Sequence, residues 1–249
     1  LLLGRMAEYL KRYREAVDWY HGVPGGPQRG EARLRAVSTL HQLGDKAQAS
    51  DEVRAIQADA AADDDLRRDA YLLEAELQQR DGHNAAEVEV LTRGLAAWPD
   101  DSALLYARAL AWERSDDIAR AEADLRKILV AEPENAAALN ALGYTLADRT
   151  ERHQEALELI DRARVAQPDN AAIVDSYGWV LYRLGRNEEA LVQLRRAWSL
   201  NNDPEIAAHV GEVLWVLGRK DEARHFFDEA SKLDPDNRAL LRAIEALGA

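Results

Sequence analysis

Cysteine is absent from this chain of 249 residues. That excludes a disulfide framework, a cysteine nucleophile and thiolate metal sites. Phe occurs twice, Met once and Pro seven times, while Ala, Leu, Glu and Arg dominate. These are strong helix formers, and no β-branched run reads as a strand. No apolar run approaches the roughly 20 residues a membrane-crossing helix needs. The opening LLL has no basic segment before it and is too short for a signal-peptide core. Basic residues are in deficit: 32 Lys and Arg face 45 Asp and Glu, a formal net charge of −13. A phosphate backbone would be repelled, so nucleic acid is not an expected partner. Hydrophobic residues at 47% are still enough to bury a core.

Catalytic motifs are missing as well. The six His residues are isolated, and none forms H-E-x-x-H or another ligand spacing. There is no phosphate-binding G-x-x-x-x-G-K-[ST] and no G-x-S-x-G. GVPGGPQRG at 22–30 is Gly-rich, but it follows no strand and reads as a loop between helices. Asp63-Asp64-Asp65 lacks the spacing and distal Glu of a calcium loop. It reads as a solvated insert that caps the next helix. No catalytic residue, metal site or cofactor is therefore expected, and the chain reads as a non-enzyme.

What is present is a repeat. LGDKAQA (43–49), LGRNEEA (184–190) and LGRKDEA (217–223) align. Each reads as a helix end, a Gly cap, a polar turn and a second helix entered at Ala. Upstream lie ALGYTLA (141–147), SYGWVLY (176–182) and HVGEVLW (209–215). Downstream, AEPEN (131–135), AQPDN (166–170) and LDPDN (233–237) close the second helices. Gly143, Gly178 and Gly211 are 35 and 33 residues apart, and Ala156, Ala190 and Ala223 are 34 and 33 apart. A helix–turn–helix unit of about 34 residues is the tetratricopeptide signature. The chain resembles that family over essentially its whole length. The implied fold is all-α, a right-handed solenoid in which stacked units share one core.

The expected repeats are 30–63, 68–100, 102–135, 136–170, 171–203 and 204–236, with a capping helix at 237–249. The unit at 68–100 is degenerate, with Glu74-Ala75 where Leu-Gly is usual. Carried back, the register puts Leu3-Gly4 at the Leu-Gly position and Ala16 at the small position of the second helix. Lys11 then stands at the turn Gly. Residues 1–29 read as a partial repeat truncated at its N-terminus, with an exposed apolar edge at Leu1–Leu3.

In this architecture the first helix of each unit, helix A, faces a concave groove. On 171–203, Asp175, Trp179 and Tyr182 recur at i, i+4 and i+7, a stripe roughly 115° from the core residues. Asn140 and Tyr144 take equivalent positions in the unit before, and Glu212 and Trp215 in the unit after. Tyr106 and Arg183 complete the candidate partner-binding set. Rigid aromatics beside carboxylates suit a peptide with apolar and basic residues. The alternative is that Trp179, Tyr182 and Trp215 only pack against the next repeat. Co-chaperone tetratricopeptide domains grip a carboxylate with Lys, Asn and Arg. Here the fifth positions are Tyr106, Asn140, Asp175 and Ala208, so such a clamp is disfavoured.

Three stretches are more particular: NALGYTLADRT (140–150), DSYGWVLYRLGRNEEAL (175–191) and DPEIAAHVGEVLWVLGR (203–219). Together they resemble the C-terminal region of a group of large proteobacterial outer-membrane tetratricopeptide lipoproteins. That group includes the lipoprotein partner of the periplasmic carboxyl-terminal processing protease. The resemblance implies a scaffold on the periplasmic side of the outer membrane, bringing a protease together with peptidoglycan hydrolases. Any membrane attachment would be a lipid anchor outside this chain. The alternatives are an envelope assembly scaffold for polysaccharide export or pilus biogenesis, or the repeat domain of a larger enzyme. Ala-rich helices could also bury a lateral surface against a copy of themselves, as a homo-oligomer.

Overall fold

A computed structural model describes residues 1–248 of the chain; Ala249, the last residue of the expected cap, lies outside the described residues. Among the described residues every regular element is an α-helix. Two compact units make up the chain, Leu1–Asp117 and Ile118–Ala249. The first holds α1 (Leu2–Tyr9), α2 (Tyr13–His21), α3 (Arg29–Leu43), α4 (Lys46–Gln57), α5 (Asp64–Arg80), α6 (Asn84–Ala97) and α7 (Ser102–Arg114). The second holds α8 (Ile118–Ala131), α9 (Ala136–Arg149), α10 (His153–Ala166), α11 (Ala171–Arg183), α12 (Asn187–Leu200), α13 (Pro204–Val216), α14 (Lys220–Leu233) and α15 (Arg238–Leu247). The division falls in the turn between the two helices of the expected repeat 102–135.

Local sequence explains where helices start and stop. The Asn and Asp residues that close each repeat serve as N-caps for the next helix A. Asn135 accepts from the Ala138 amide, Asp203 from Glu205 and Asn237 from Leu240, at 3.0, 2.8 and 3.2 Å. Asp63, from the acidic insert, caps α5 through the Leu66 amide at 2.7 Å. Each satisfies an amide left over at a helix start. Between the paired helices, α9 and α10 excepted, the chain turns through a left-handed residue. Gly44, Gly82, Gly185 and Gly218 take it with φ between +74° and +93°, and Lys11 and Asp116 take it at φ +58° and +65°. Lys11 thus occupies the turn-Gly position that the register assigns to it.

The paired helices touch where helix A carries Gly. A Cβ on Gly143 would lie 2.5 Å from Ile160 Cγ1, one on Gly178 2.7 Å from Leu194 Cγ, and one on Gly211 2.5 Å from Phe227 Cε1. Gly4 meets Tyr20 in the same way. Around the Gly178 and Gly211 contacts, Ala190, Leu194, Ala197, Val210, Leu214, Ala223, Phe227 and Ala230 form one buried cluster, which α15 joins through Ala239, Leu240 and Ala243. At the start of the chain, Leu2, Leu3 and Met6 on α1 are at least half exposed.

The degenerate repeat has a physical reading. Glu74, at the usual Leu position, is buried, but Gln57 Nε2 donates to it at 2.7 Å and Arg93 Nη2 at 3.0 Å. Arg54 Nε adds a third donor at 3.3 Å. Glu87, at the small-residue position of α6, is also buried; its Oε1 accepts from Arg114, while Oε2 has no hydrogen-bond partner. Buried carboxylates are tolerated when donors replace their water.

The Gly contacts give a direct test. Gly178→Ala also faces the Leu194 backbone nitrogen at 3.1 Å, which cannot move aside as a side chain can. We expect a loss of about 1–3 kcal/mol of stability, read from urea unfolding. An unchanged midpoint would mean that the helix pair does not depend on this approach.

Candidate functional site: a carboxylate and aromatic network in the second unit

Helices α9, α11 and α13 are the A helices of consecutive repeats; α11 packs against both neighbours, and α15 packs on α13. On α11, Asp175, Trp179 and Tyr182 project from one face, as their spacing predicts. His209 on α13 meets two of them. Its Nδ1 lies 3.0 Å from both Asp175 oxygens. Its ring stacks on the Trp179 indole, with centroids 4.1 Å apart and 21° between the planes. The indole Nε1 donates to Asp148 Oδ1 on α9 at 3.2 Å. Arg242 Nη1, from α15, donates to Asp148 Oδ2 at 2.8 Å.

Two tyrosines extend the network. Tyr144 on α9 donates its hydroxyl to Glu205 Oε1 at 2.6 Å, and that hydroxyl is 3.4 Å from His209 Nε2. Tyr182 donates to Glu212 Oε1 at 3.1 Å and lies 5.1 Å from Trp179, centroid to centroid. Arg183 Nη1 donates to the Asp148 backbone carbonyl at 3.4 Å. The partners set the proton positions: Asp175 takes the Nδ1 proton and Tyr144 takes the Nε2 proton of an imidazolium.

Electrostatics agree with that assignment. Burial alone would lower the His209 pKa. The charge of Asp175, its hydrogen bond, and the charges of Glu205 and Asp148 outweigh burial and push the pKa up to about 9. Burial and the Glu205 carboxylate hold the Tyr144 hydroxyl protonated, well above the ordinary phenol range. Burial and Glu212 push Tyr182 up to about 12. The Tyr144–His209–Asp175 chain has the outline of a proton relay. An imidazolium has no lone pair with which to take a proton, and His209 has no exposed surface. The chain of groups therefore cross-links helices; it is not poised as a base.

The structure corrects the expected groove wall at two positions. Trp179 is 1% exposed and Asp175 5%. The reason is the close neighbour: His209 covers the indole face, and Asp175 neutralises His209. Trp179 therefore packs against the next repeat's helix A. Tyr144, Tyr182, Arg183 and Glu212 join the same network and are only partly covered. Trp215 lies outside it, beneath Lys220 and Arg224, with its ring 4.8 and 5.5 Å from their charged groups and 6.4 Å from the Phe227 ring. Asn140 is partly buried on α9, with Oδ1 lacking a hydrogen-bond partner. Tyr106 is on α7, in the first unit.

Sequence reasoning missed Asp148, Glu205, His209 and Arg242. Glu205 and His209 sit at i and i+4 on α13, a spacing that shares one face. His209 also follows Asp175 by 34 residues, one repeat length. Asp148 and Arg242 left no such signal, because their meeting depends on how α9 and α15 approach. No helix among the described residues is long and apolar enough to cross a membrane.

Comparison with known proteins defines the class. The tetratricopeptide repeat family model matches residues 106–171 and 177–238, and the chain belongs to that family. Among particular proteins, it is 42% identical over 213 residues to the TPR repeat-containing protein PA4667 of Pseudomonas aeruginosa. That match covers 84% of this chain and 35% of the relative, so the chain spans about a third of that protein's length. Among solved structures, a tetratricopeptide repeat protein from Parabacteroides merdae superposes with a TM-score of 0.73. The two are 13% identical, over 99% of this chain and 96% of that one. PilF of Pseudomonas aeruginosa gives a TM-score of 0.58 at 22% identity, over 74% of this chain and 86% of that one. These structural likenesses speak to the fold alone.

Two outcomes are expected from the network. His209 has a folded pKa above its unfolded value of about 6.5, so its stabilisation is full below that pH. It is lost as pH rises through about 9, a change of about 3 kcal/mol. The unfolding midpoint should fall between pH 7 and 9.5 in the native protein, and much less in His209→Gln. Parallel pH profiles would remove His209 as the cause. Trp179→Ala should cost about 3–5 kcal/mol of stability; a thermal melt matching that of the native protein would contradict its burial role.

Proposed function

We propose that this chain is part of a non-catalytic scaffold that binds proteins on the A-helix face of its second unit. The observation that carries the reading is the composition of that face. Tyr144 and Tyr182 hold fixed positions through Glu205 and Glu212, and the four carboxylates Asp148, Asp175, Glu205 and Glu212 outnumber the three cations Arg183, His209 and Arg242. Preorganised aromatics in an acidic field favour partners with apolar and basic residues. Membership of a repeat family built for stacking extended surfaces supports the same reading.

The finer proposal follows the resemblance of 140–150, 175–191 and 203–219. The protein is a lipoprotein facing the periplasm from the outer membrane, and it brings a carboxyl-terminal processing protease to peptidoglycan hydrolases. The 42% identity to a repeat protein more than twice as long fits a chain that is one part of a large scaffold. A fold-level likeness to PilW, a widely conserved type IV pilus biogenesis factor, supplies the alternative, a scaffold in pilus assembly.

Pull-down with the full-length protein tests this reading. Retention of both the purified protease and a purified hydrolase is expected. Retention of neither sinks the adaptor proposal, and retention of a pilus-assembly component in their place would favour the alternative. Tyr182→Ala should weaken one partner by about 1–3 kcal/mol while helicity stays intact. Unchanged affinity for every partner would remove the A-helix face from the binding site.

A further inference from the structure

Arg242 does something that the docking of its helix does not require. Helix α15 is held by Ala239, Leu240 and Ala243, which are buried in the shared core. Arg242 leaves the helix on another face and reaches Asp148 on α9, 94 residues earlier in the chain. There it meets a shaped socket. The Asp148 side chain is 6% exposed, and its Oδ1 is held by the Trp179 indole at 3.2 Å. Oδ2 faces the Arg242 guanidinium at 2.8 Å. The Arg242 Cζ lies 5.7 Å from the Trp179 ring centroid. Arg183 is turned to the Asp148 backbone carbonyl.

A buried carboxylate beside an aromatic face is what a guanidinium prefers. It combines a charge-assisted hydrogen bond with attraction to the π-face. The occupant is not sealed in: the Arg242 side chain is 37% exposed, so the socket opens to solvent along it. Leu241 and Ile244, on the same short helix, are 50% and 37% exposed.

We propose that the Asp148–Trp179 socket is the docking point for an arginine on a basic segment of a protein partner, and that Arg242 fills it as an internal stand-in until that arginine displaces it. This rests on the scaffold reading and deepens it by naming the chemistry of the partner. The net charge of −13 and the neighbouring Glu205 and Glu212 favour a basic partner over an acidic one. A site mostly filled by its own side chain shows an external ligand only the vacant fraction, which weakens apparent affinity by that fraction.

Fluorescein-labelled nona-arginine, followed by fluorescence anisotropy, tests this on the intact chain. Arg242→Gln should bind it about fivefold to tenfold more tightly than the native protein. Lys232→Gln, an equal change of charge on exposed α14, should not reproduce the gain. Adding Asp148→Asn to Arg242→Gln should abolish it. The gain should be smaller with nona-lysine, which cannot stack as a planar group. Arg242→Lys, which keeps the charge, should show a reduced gain, and it carries the comparison if Arg242→Gln melts early. The proposal is overturned if Arg242→Gln binds no more tightly than the native chain. A gain matched by Lys232→Gln, or one that survives Asp148→Asn, overturns it equally. The assay contains no protease, so its failure and that of the pull-down are separate results.

Discussion

The close approach of helices A and B is the constraint on which the second unit depends. Gly143, Gly178 and Gly211 have no Cβ, and Ile160, Leu194 and Phe227 fill that space. Interiors pack at crystal-like density, so the gap cannot be widened by one methyl group without moving its walls. Because each pair closes at the same point, successive A helices present the same face. Without that, Asp175 on α11 and His209 on α13 would not meet at 3.0 Å. The polar network is thus a consequence of small residues in the core.

That network is charged. A buried ion pair is not by itself a strong source of stability, since desolvation offsets much of the attraction. Removing one partner is costly, because the other charge stays buried and alone. The second unit meets the problem by leaving none of these groups without a partner. Asp175 has the imidazolium, His209 has Asp175 and Tyr144, and Asp148 has Trp179 and Arg242. The first unit treats Glu74 the same way, with Gln57, Arg54 and Arg93. Such groups specify register. A slip of α13 by one residue would leave His209 and Asp175 unpaired, adding to the clash that moving Gly211 away from Phe227 would cause.

Most of the helix boundaries were legible from punctuation. Asn135, Asn170, Asp203 and Asn237 cap the helices that follow them, and Gly44, Gly185 and Gly218 turn the chain as their position predicts. Even Lys11, an unexpected residue for a left-handed turn, was placed by register alone. The candidate site was legible in part. Periodicity identified the Asp175, Trp179 and Tyr182 stripe, because side-chain direction follows from helix geometry. It gave no information on depth. Whether Trp179 lies open or covered depends on which residue the next A helix brings opposite, and that was His209. Asp148 and Arg242 were illegible for a stronger reason. Their contact spans 94 residues, and no local pattern encodes a distance between non-adjacent repeats.

The burial of Trp179 changes what kind of binding surface this face can be. An open groove of aromatics would offer apolar area directly. Here Trp179 is already used, stacked against an imidazolium and lying near a guanidinium. What remains accessible is mainly polar: the flanks of Tyr144 and Tyr182, the carboxylate of Glu212 and the outer part of Arg242. A partner therefore gains less from apolar burial than from exchanging one charged contact for another. Exchange interfaces of this kind discriminate by geometry and charge sign, and they bind only as tightly as the new contact exceeds the old one. For a repeat surface suited to protein–protein contact, that is a physical route to specificity without permanent capture.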